Sequence, residues 1–367
     1  MRIGTIRESR EGENRVALSP NVCKQLIKSG FECYIESGAG QNASFLDEAY
    51  LEAGAKICAT ATEIFQNVDV LCKVNAPNDQ EIAQLREGTA LLSFVYHLVN
   101  KDFVEKINAR KVSLFSMDAI PRISRAQSMD ALSSQANLAG YKAVIIAANE
   151  SGKIFPMLMT AAGTITPAKV LIFGAGVAGL QAIGTAKRLG AVVEVTDIRP
   201  ETKEEVESLG GKFISFDTGN DVKIEGGYVK EAGENVLQKQ REILKKHLAT
   251  ADIVITTALV PGRKAPVLVT EDMVKVMKTG SVIVDMAVEQ GGNCELSELG
   301  KVAVKHGVKI VGYPNYPSML APNASETYAK NIYAFLTHLA TKDGFKFDMT
   351  DEITIGTLIC NKGEVLK

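Results

Sequence analysis

The chain has 367 residues, of which 46% are hydrophobic and 23% are charged. These values exclude intrinsic disorder as the main state and allow two domains with cores of ordinary size. Lys and Arg number 41 and Asp and Glu 43, so the formal net charge of −2 provides no overall basic field for nucleic acid. Charged residues near Met1 leave no apolar signal-peptide core, and the apolar stretch at 156–184 is too interrupted to predict a membrane span.

The first third of the sequence alternates short apolar runs with amphipathic stretches, which is typical of α/β architecture. The runs predict strands over residues 2–6, 33–36, 70–74, 90–95 and 112–116. The amphipathic spacing predicts helices over residues 21–30, 45–53, 80–85 and 102–109, and Gly30 stands where a helix C-cap is expected. No glycine-rich phosphate loop follows any of these runs.

A second and cleaner α/β pattern begins near Lys169. It predicts strands over residues 169–173, 192–196, 212–214, 253–256, 281–285 and 308–311, with helices over 177–189, 202–209, 235–249 and 271–277. The connection over residues 216–234 is polar, glycine-rich and longer than most loops of compact domains. Loops of that length are usually functional lids or disordered, and we interpret this one as a lid.

The pattern as a whole predicts two Rossmann-like, doubly wound parallel-sheet domains. A long amphipathic helix is predicted over residues 324–339, followed by a polar tail to Lys367. A helix placed after the second domain often packs back on the first. We therefore expect a discontinuous first domain of residues 1–134 plus 326–367 and a second domain of residues 135–325.

The strongest local motif is a G-x-G-x-x-G sequence formed by Gly174, Gly176 and Gly179, directly after an apolar strand and at the start of a helix. Gly174 allows the tight turn, Gly176 lets the backbone approach a pyrophosphate, and Gly179 lets helix and strand pack closely. The pyrophosphate would lie on the helix N-terminus, where free N–H groups and the helix dipole favour negative charge. The alternative is a glycine turn needed only for packing.

Asp197, about 20 residues further on at the end of the next strand, completes this dinucleotide fingerprint. Its carboxylate can accept hydrogen bonds from an adenosine ribose and would repel the extra phosphate of NADP, so we predict NAD(H) as the preferred nucleotide. Arg199 weakens that preference, because an arginine in this place can accommodate a 2′-phosphate.

A second polar motif covers residues 121–140 and contains Arg122, Gln127, Asp130 and Ser133. It is dense in hydrogen-bonding groups and lies between the two predicted domains, where a ligand cleft is expected. Composition alone is equally consistent with an ordinary polar helix start that has Ser128 as its N-cap.

The motif from Arg122 to Gly140, the fingerprint from Gly174, the triplet Asp197-Ile198-Arg199 and residues 283–292 together resemble the NAD(H)-binding domain, or alpha-1 subunit, of proton-translocating nicotinamide nucleotide transhydrogenases. The resemblance extends to about Leu339. It implies a Re/Si-specific hydride transfer between NADH and NADP+, catalysed only together with partner subunits and coupled to proton movement.

The same resemblance implies the cofactors, partners and location. NAD(H) would bind to this chain, NADP(H) only to a partner domain, and a membrane subunit would carry the protons. The chain would be a homodimer in the bacterial cytoplasm, held on the cytoplasmic face of the inner membrane peripherally through its partners.

The family's functional residues correspond to positions of this sequence. Arg122, Gln127, Asp130 and Ser133 would orient the nicotinamide half of NADH, and Gln127 would reach toward the second nucleotide; of these, Arg122, Gln127 and Asp130 are the candidate catalytic residues. Tyr228 matches a tyrosine on the family's mobile loop, although this chain has Ala232 where some members have methionine. The remaining candidate cofactor-binding residues are Gly174, Gly176, Val177, Ala178, Gly179, Asp197, Ile198, Arg199, Gly227, Ala258 and Leu259.

Alanine dehydrogenase shares the two-domain plan and is the rival interpretation. Its carboxylate-binding and proton-transferring residues correspond to Arg15, Lys73 and His97, which as an alternative are retained for structural reasons. That family has an aspartate in place of Glu289, and it lacks both the arginine–glutamine–aspartate motif and the insertion around Tyr228. A non-catalytic NAD-binding partner protein is the third possibility.

The cysteines and histidines show no metal-binding pattern. Six scattered cysteines without a C-x-x-C pair predict reduced, buried thiols of an intracellular protein, with neither a zinc site nor a disulfide framework. His247, His306 and His338 have no partners in the sequence pattern, and we interpret them as surface or hydrogen-bonded residues.

Overall fold

The computed structural model describes residues 1–215, 222–225, 228–232, 234–260 and 263–367, and for 222–225, 228–232 and 234–240 it describes the backbone alone. The chain divides into two compact units, Met1–Gln135 with Pro317–Lys367, and Ala136–Tyr316. The first unit is therefore built from both ends of the chain. Residues 317–325, which the sequence analysis assigned to the second domain, belong to the first unit.

The N-terminal part of the first unit alternates strands and helices. Its strands are β1 (Arg2–Thr5), β2 (Glu32–Glu36), β3 (Lys56–Cys58), β4 (Val70–Asn75), β5 (Ala90–Phe94) and β6 (Ser113–Ser116). Its helices are α1 (Pro20–Lys28), α2 (Asp47–Glu52), α3 (Ala61–Asn67), α4 (Asp79–Gln84) and α5 (Lys101–Ala109), and single 3₁₀ turns cover Gln41–Ala43, Met117–Ala119 and Ser124–Met129.

Local sequence explains where several of these helices begin and end. Ser19 caps α1, its hydroxyl accepting from the Val22 N–H at 3.3 Å, and Pro20 occupies the first turn. Gly30 follows the helix with φ of +90°, which confirms the predicted C-cap position. Asn78 and Glu81 form a reciprocal capping box at the start of α4.

The first sheet has the strand order β3-β2-β1-β4-β5-β6, and these strands are all parallel. Its central strands read as nearly continuous apolar runs because both faces are covered, one by the cluster around Leu26 and Leu92 and the other by the cluster around Ile64 and Leu91. The five predicted strands are confirmed. Strand β3 and helix α3 were not predicted, because their short sequences alternate polar and apolar residues too briefly to show a period.

The second unit repeats the alternation. Its elements are α6 (Ala131–Glu150, which begins in the first unit), β7 (Leu158–Thr160), β8 (Gly163–Ile165), β9 (Lys169–Phe173), α7 (Val177–Arg188), β10 (Val192–Thr196), α8 (Lys203–Ser208), β11 (Lys212–Phe213), β12 (Val222–Glu225), β13 (Tyr228–Ala232), α9 (Glu234–Leu248), β14 (Ile253–Thr256), α10 (Glu271–Val274), β15 (Val282–Asp285), β16 (Val302–Lys305) and β17 (Val308–Val311), with 3₁₀ turns at Pro200–Thr202 and Val288–Gln290.

The second sheet has the order β11-β10-β9-β14-β15-β17-β16, with only the edge strand β16 antiparallel. Both sheets thus place their parallel strands in the order of the dinucleotide-binding fold, and the predicted fold class is confirmed. Strand β16 and the hairpin β7–β8 were not predicted. The connection interpreted as a lid contains the antiparallel pair β12–β13, in which Tyr228 lies opposite Glu225 in the backbone register.

The C-terminal segment returns to the first unit. After a 3₁₀ turn at Tyr316–Leu320 it contains α11 (Ala321–Leu339), β18 (Ala340–Thr341), β19 (Gly344–Phe345), α12 (Glu352–Thr357), β20 (Leu358–Asn361) and β21 (Glu364–Val365). Strand β20 pairs antiparallel with β6 and buries Leu358, Ile359 and Cys360. The expectation of a polar tail was therefore wrong, because these apolar residues are too few to stand out between charged neighbours. No helix of the described residues is long and apolar enough to cross a membrane.

Candidate nucleotide-binding site

The glycine motif forms a tight turn between β9 and α7. Gly174 has φ of +102°, a conformation that side chains rarely adopt, and its N–H donates to the Thr196 carbonyl at 2.8 Å. A Cβ on Gly179 would lie 1.9 Å from the Gly174 carbonyl oxygen, so only glycine lets α7 start this close to the strand. The turn and close-packing roles predicted for these two glycines therefore have geometric support.

The N-terminus of α7 is suited to an anion. Its N-cap residue, Gly176, makes no side-chain capping hydrogen bond, and the first turn contains no acidic residue. A Cβ built on Gly176 would meet no described atom within 4 Å. The first-turn N–H groups, including those of Val177 and Ala178, are orphan donors at the positive end of the helix dipole, which is the arrangement that binds a pyrophosphate.

Gly140 is a further glycine of this region, at the far end of the polar motif. It lies in α6, and a Cβ there would be 2.1 Å from the Ala178 carbonyl oxygen. Gly140 thus lets α6 pack against the first turn of α7. Nothing in the sequence pattern points to this contact, because the two residues lie far apart in the chain.

Asp197 is 8% exposed, at the end of β10, and braces the glycine turn. Its Oδ2 accepts from the Ala175 N–H at 2.7 Å and from Arg199 Nη2 at 2.9 Å, and its Oδ1 accepts from the backbone N–H and Nε of Arg199 at 2.8 and 3.0 Å. The hydrogen bonds that Arg199 donates to Asp197 raise the pKa of the Arg199 guanidinium. Because the arginine neutralises the carboxylate, the repulsion expected for a 2′-phosphate is weaker than Asp197 alone would give. Ile198 lies between the two partners.

The turn after β14 carries Ala258 and Leu259 and is held by Asn293. The Asn293 side chain accepts from the Ala258 N–H at 3.0 Å and donates to the carbonyls of Ala258 and Pro266 at 2.9 and 2.8 Å. Asn293 is fully buried, whereas Leu259 is 39% exposed.

Asp285 in turn fixes the backbone around Asn293. Its carboxylate accepts from the backbone N–H groups of Ala287, Asn293 and Cys294 and from the Ser297 hydroxyl, at 2.6 to 3.1 Å. The sequence analysis quoted Asp285 within the family motif but predicted no role for either residue, since a clamp between two turns appears only in the fold.

The polar motif lies at the end of the first unit, apart from the glycine turn in the chain's division. Arg122 and Gln127 are exposed, and the 3₁₀ turn that carries Gln127 is anchored by the buried Ala126 and Met129. Asp130 stands directly before α6: its Oδ1 accepts from the Ser133 N–H at 2.9 Å and its Oδ2 from the Ser133 hydroxyl at 2.6 Å. Asp130, not Ser128, therefore has the N-cap contact that composition suggested for this motif.

Two candidate residues of the mobile connection fall in or beside the undescribed segments of the chain. Gly227 lies outside the described residues, and for Tyr228 only the backbone is described.

The residues of the rival interpretation form a buried ionic network in the first unit. Arg15 donates from Nε and Nη2 to Glu13 at 2.8 and 2.7 Å and from Nη1 to Gln135 at 2.8 Å. Lys73 is fully buried, 3.1 Å from Glu81 and 3.7 Å from Glu8. Burial raises the pKa of Glu13, but the hydrogen bonds and charge of Arg15 outweigh it and lower that pKa to about 2. The carboxylate bound by Arg15 is thus one of the chain's own.

His97 is half-buried just after β5, and burial lowers the pKa of its imidazole. The other histidines are hydrogen-bonded to carboxylates: His247 to Glu194, His306 to Glu271 and His338 to Asp351, at 2.7 to 3.0 Å. They do have partners, which the sequence pattern did not show. All six cysteines are free and buried, and the described residues contain no cluster that would hold a metal ion.

Comparison with known proteins gives the following similarities. Residues 4–139 match the family described as "Alanine dehydrogenase/PNT, N-terminal domain", and residues 143–367 match "Alanine dehydrogenase/PNT, C-terminal domain". The chain is 52% identical to an NAD(P) transhydrogenase subunit alpha polypeptide of Rhodospirillum rubrum, over 100% of this chain and 98% of that protein.

Two solved structures are also similar. A transhydrogenase from Sinorhizobium meliloti superposes with a TM-score of 0.87 at 43% identity, covering 100% of this chain and 98% of the other. An L-alanine dehydrogenase superposes with a TM-score of 0.84 at 26% identity, covering 100% and 96%.

Proposed function

Since the chain belongs to the alanine dehydrogenase/PNT family, we propose that it is the NAD(H)-binding component of a proton-translocating, Re/Si-specific NAD(P)+ transhydrogenase. It holds NADH for direct hydride transfer to NADP+ on a partner domain, and a membrane subunit couples the transfer to proton movement. The end-to-end similarity to a polypeptide named as NAD(P) transhydrogenase subunit alpha is the observation that carries the proposal.

The second unit binds the adenosine diphosphate half of NAD(H). The pyrophosphate lies on the turn of Gly174, Gly176 and Gly179 and the first turn of α7, and the ribose hydroxyls meet the carboxylate of Asp197. The uncapped N-terminus of α7 and the open side of Gly176 support this assignment. Arg199 and Ile198 flank the ribose, and the turn of Ala258 and Leu259 lies along the nucleotide. NADH is expected to bind more tightly than NADPH.

The polar motif of the first unit orients the nicotinamide half. Hydride transfer between two nicotinamide rings needs no acid or base from the protein, but it needs alignment at near-contact distance and exclusion of water. Arg122, Asp130 and Ser133 hold the nicotinamide half, and Gln127, exposed on its 3₁₀ turn, reaches toward the second nucleotide. The connection carrying Gly227 and Tyr228 closes over the site.

The test is a single-turnover mixing of the NADH-loaded chain with an NADP(H)-binding transhydrogenase domain, beside NADH titrations followed by nucleotide fluorescence. Gln127→Ala is expected to slow transfer by on the order of 100-fold while leaving NADH affinity nearly unchanged, since a contact made mainly in the reacting complex lowers the rate alone. Arg122→Ala and Asp130→Ala are expected to weaken NADH binding as well. Transfer by Gln127→Ala at the unmodified rate would refute the assignment of the motif.

Alanine dehydrogenase activity is not expected. Arg15 is engaged by Glu13 and Gln135, and Lys73 is fully buried between two carboxylates. Steady production of NADH from L-alanine and NAD+ at rates typical of enzymes, about 1 to 1000 per second, would replace the proposal with the rival activity.

A homodimer at the cytoplasmic face of the membrane completes the proposal. The hairpin β7–β8 supports self-association, because a lone two-stranded hairpin is marginally stable in water and this one exposes apolar side chains. Met159 is 83% exposed, and Met157, Leu158 and Ile165 are exposed as well. Light scattering at micromolar concentration is expected to give twice the mass of the chain, and a monomer mass would count against the dimer.

A further inference from the structure

The turn that carries Gln127 is held from behind by an asparagine of the C-terminal segment. Asn331, on α11, donates from Nδ2 to the Ser128 carbonyl at 2.8 Å and accepts at Oδ1 from the Ser134 hydroxyl at 2.7 Å. Its side chain therefore links the end of the 3₁₀ turn to the first turn of α6, on the two sides of Asp130. Asn331 is only 7% exposed, so these hydrogen bonds compete little with water.

A second contact reaches the same turn from the start of α12. Asp351 accepts from Arg125 Nη1 at 2.5 Å, from His338 Nε2 at 3.0 Å and from the Thr354 N–H at 3.0 Å. Arg125 lies in the 3₁₀ turn, so Asp351 connects that turn to the ends of two helices. The pair is partly exposed, with the Arg125 side chain at 48% and Asp351 at 10%, and is therefore the weaker of the two contacts.

Close packing at Gly356 adds to these contacts. A Cβ on Gly356, in α12, would lie 3.1 Å from Pro121 Cδ and 3.3 Å from the Ala119 carbonyl oxygen. Helix α12 thus lies directly against the start of the polar motif. None of Asn331, Asp351 or Gly356 belongs to the motif itself or to the residues assigned to nucleotide binding.

We propose that Asn331 and Asp351 are positioning residues for hydride transfer: they fix the backbone on both sides of Gln127 so that its side chain meets the second nucleotide. This inference rests on the proposed function. The reason is geometric, because a site that works by alignment is sensitive to displacements of about 1 Å in the groups that align it. A turn held by only its own short-range hydrogen bonds would leave the exposed Gln127 free to shift.

The test uses substitutions that keep size and local caps. Asn331→Asp retains the acceptor for Ser134 but sets an oxygen against the Ser128 carbonyl, and Ser134→Ala removes the other half of the link. Asp351→Asn keeps an N-cap acceptor for α12 and removes the charge that Arg125 binds. Lys330→Gln is the matched control, since that neighbouring α11 residue is exposed and pairs only with Glu326 on its own helix.

Positioning predicts a split between binding and rate. Single-turnover hydride transfer to the NADP(H)-binding partner should fall about tenfold in Asn331→Asp and about threefold in Asp351→Asn, while NADH affinity stays within about twofold of the unmodified chain. Lys330→Gln should match the unmodified chain in both measurements.

Three results would overturn the inference. Unchanged transfer in folded variants would show that the contacts are dispensable, and a parallel fall of NADH affinity and rate would show a merely structural role. If Asn331→Asp does not fold, Ser134→Ala and Asp351→Asn decide between the same outcomes. Failure of the unmodified chain to transfer hydride at all would instead reject the proposed function, and the inference with it.

Discussion

The two units place their parallel strands in the same order, yet they treat the point where that order reverses in different ways. In the second unit this point lies between β9 and β14, and the chain after β9 is a glycine turn followed by an uncapped helix N-terminus. In the first unit it lies between β1 and β4, and the chain after β1 carries Glu8. The Glu8 carboxylate accepts from the N–H groups of Val74 and Asn75 at 2.7 and 3.2 Å.

The comparison shows how one topology yields a binding site in one unit and a closed core in the other. The end of a parallel strand next to the reversal point is rich in backbone donors. The first unit satisfies them with its own carboxylate, which Lys73 approaches to 3.7 Å. The second unit removes side chains from that place and leaves the donors to a foreign anion. The predictions below test this division, in which the charges of the first unit serve stability and those of the second serve binding.

The largest effect is expected from Glu13→Gln in the first unit. Glu13 and Arg15 are 0% and 6% exposed, and an amide nitrogen would face the guanidinium in place of a carboxylate oxygen. The pKa of Glu13 is about 2 against an ordinary 4.5. That difference corresponds to about 3 kcal/mol of stability.

The pH dependence follows from the sign of that shift. Because the pKa is lower in the folded protein, the contribution is complete above pH 4.5 and is lost as the pH falls through about 2. Urea denaturation followed by circular dichroism should show the variant destabilised at pH 7 and the gap narrowing toward pH 2. NADH affinity should not change, and a large loss of affinity would break the division between the units.

Gly179→Ala should abolish the second unit's advantage. The new methyl group would sit 1.9 Å from the Gly174 carbonyl oxygen, so the turn must open, and overpacking of this kind costs about 1 to 3 kcal/mol. NADH affinity should fall by about 100-fold. Gly184→Ala, in the same helix, is the control: its Cβ would meet only Arg188 Nη1 at 3.5 Å, and the substitution should leave affinity unchanged while favouring the helix. Equal effects of the two variants would contradict the prediction.

A smaller effect is expected from Asn293→Ala, which removes the clamp on the Ala258 turn. The turn would lose three hydrogen bonds and shift along the nucleotide, and NADH affinity should fall about tenfold, or about 1.4 kcal/mol. Asn149→Ala, an exposed change on α6, serves as the control. Unchanged affinity in folded Asn293→Ala would show that the turn takes no part in binding.

Sequence reasoning succeeded where function depends on neighbouring residues. The glycine turn was predictable because strand, turn and helix follow each other within residues 169–188, and each glycine has a local steric reason. The sheet order was also accessible, since long apolar runs alternate with amphipathic helices.

It failed where residues act across the fold. Asn293 and Asn331 are single polar residues in segments that otherwise resemble any loop or helix, and their importance comes from backbone groups far away in the chain. Arg15 and Lys73 were recognised, but their occupation by Glu13, Glu8 and Glu81 was not, because ion pairing is decided by three-dimensional packing. Strand β20 was missed since its pairing with β6 joins residues more than 200 positions apart.

The return of the chain to its first unit has a consequence for how the protein forms during synthesis. Tyr328 and Phe335 of α11 lie in the same core as β1 and β2, and β20 covers the edge of β6. The segment from Ala136 to Tyr316 is continuous, so it emerges from the ribosome with all the partners of its own sheet, whereas the earlier residues still lack theirs. The second unit can therefore complete its core first, and the N-terminal strands must wait with an open edge, exposed to chaperones and to mispairing, until the last helix and strand arrive.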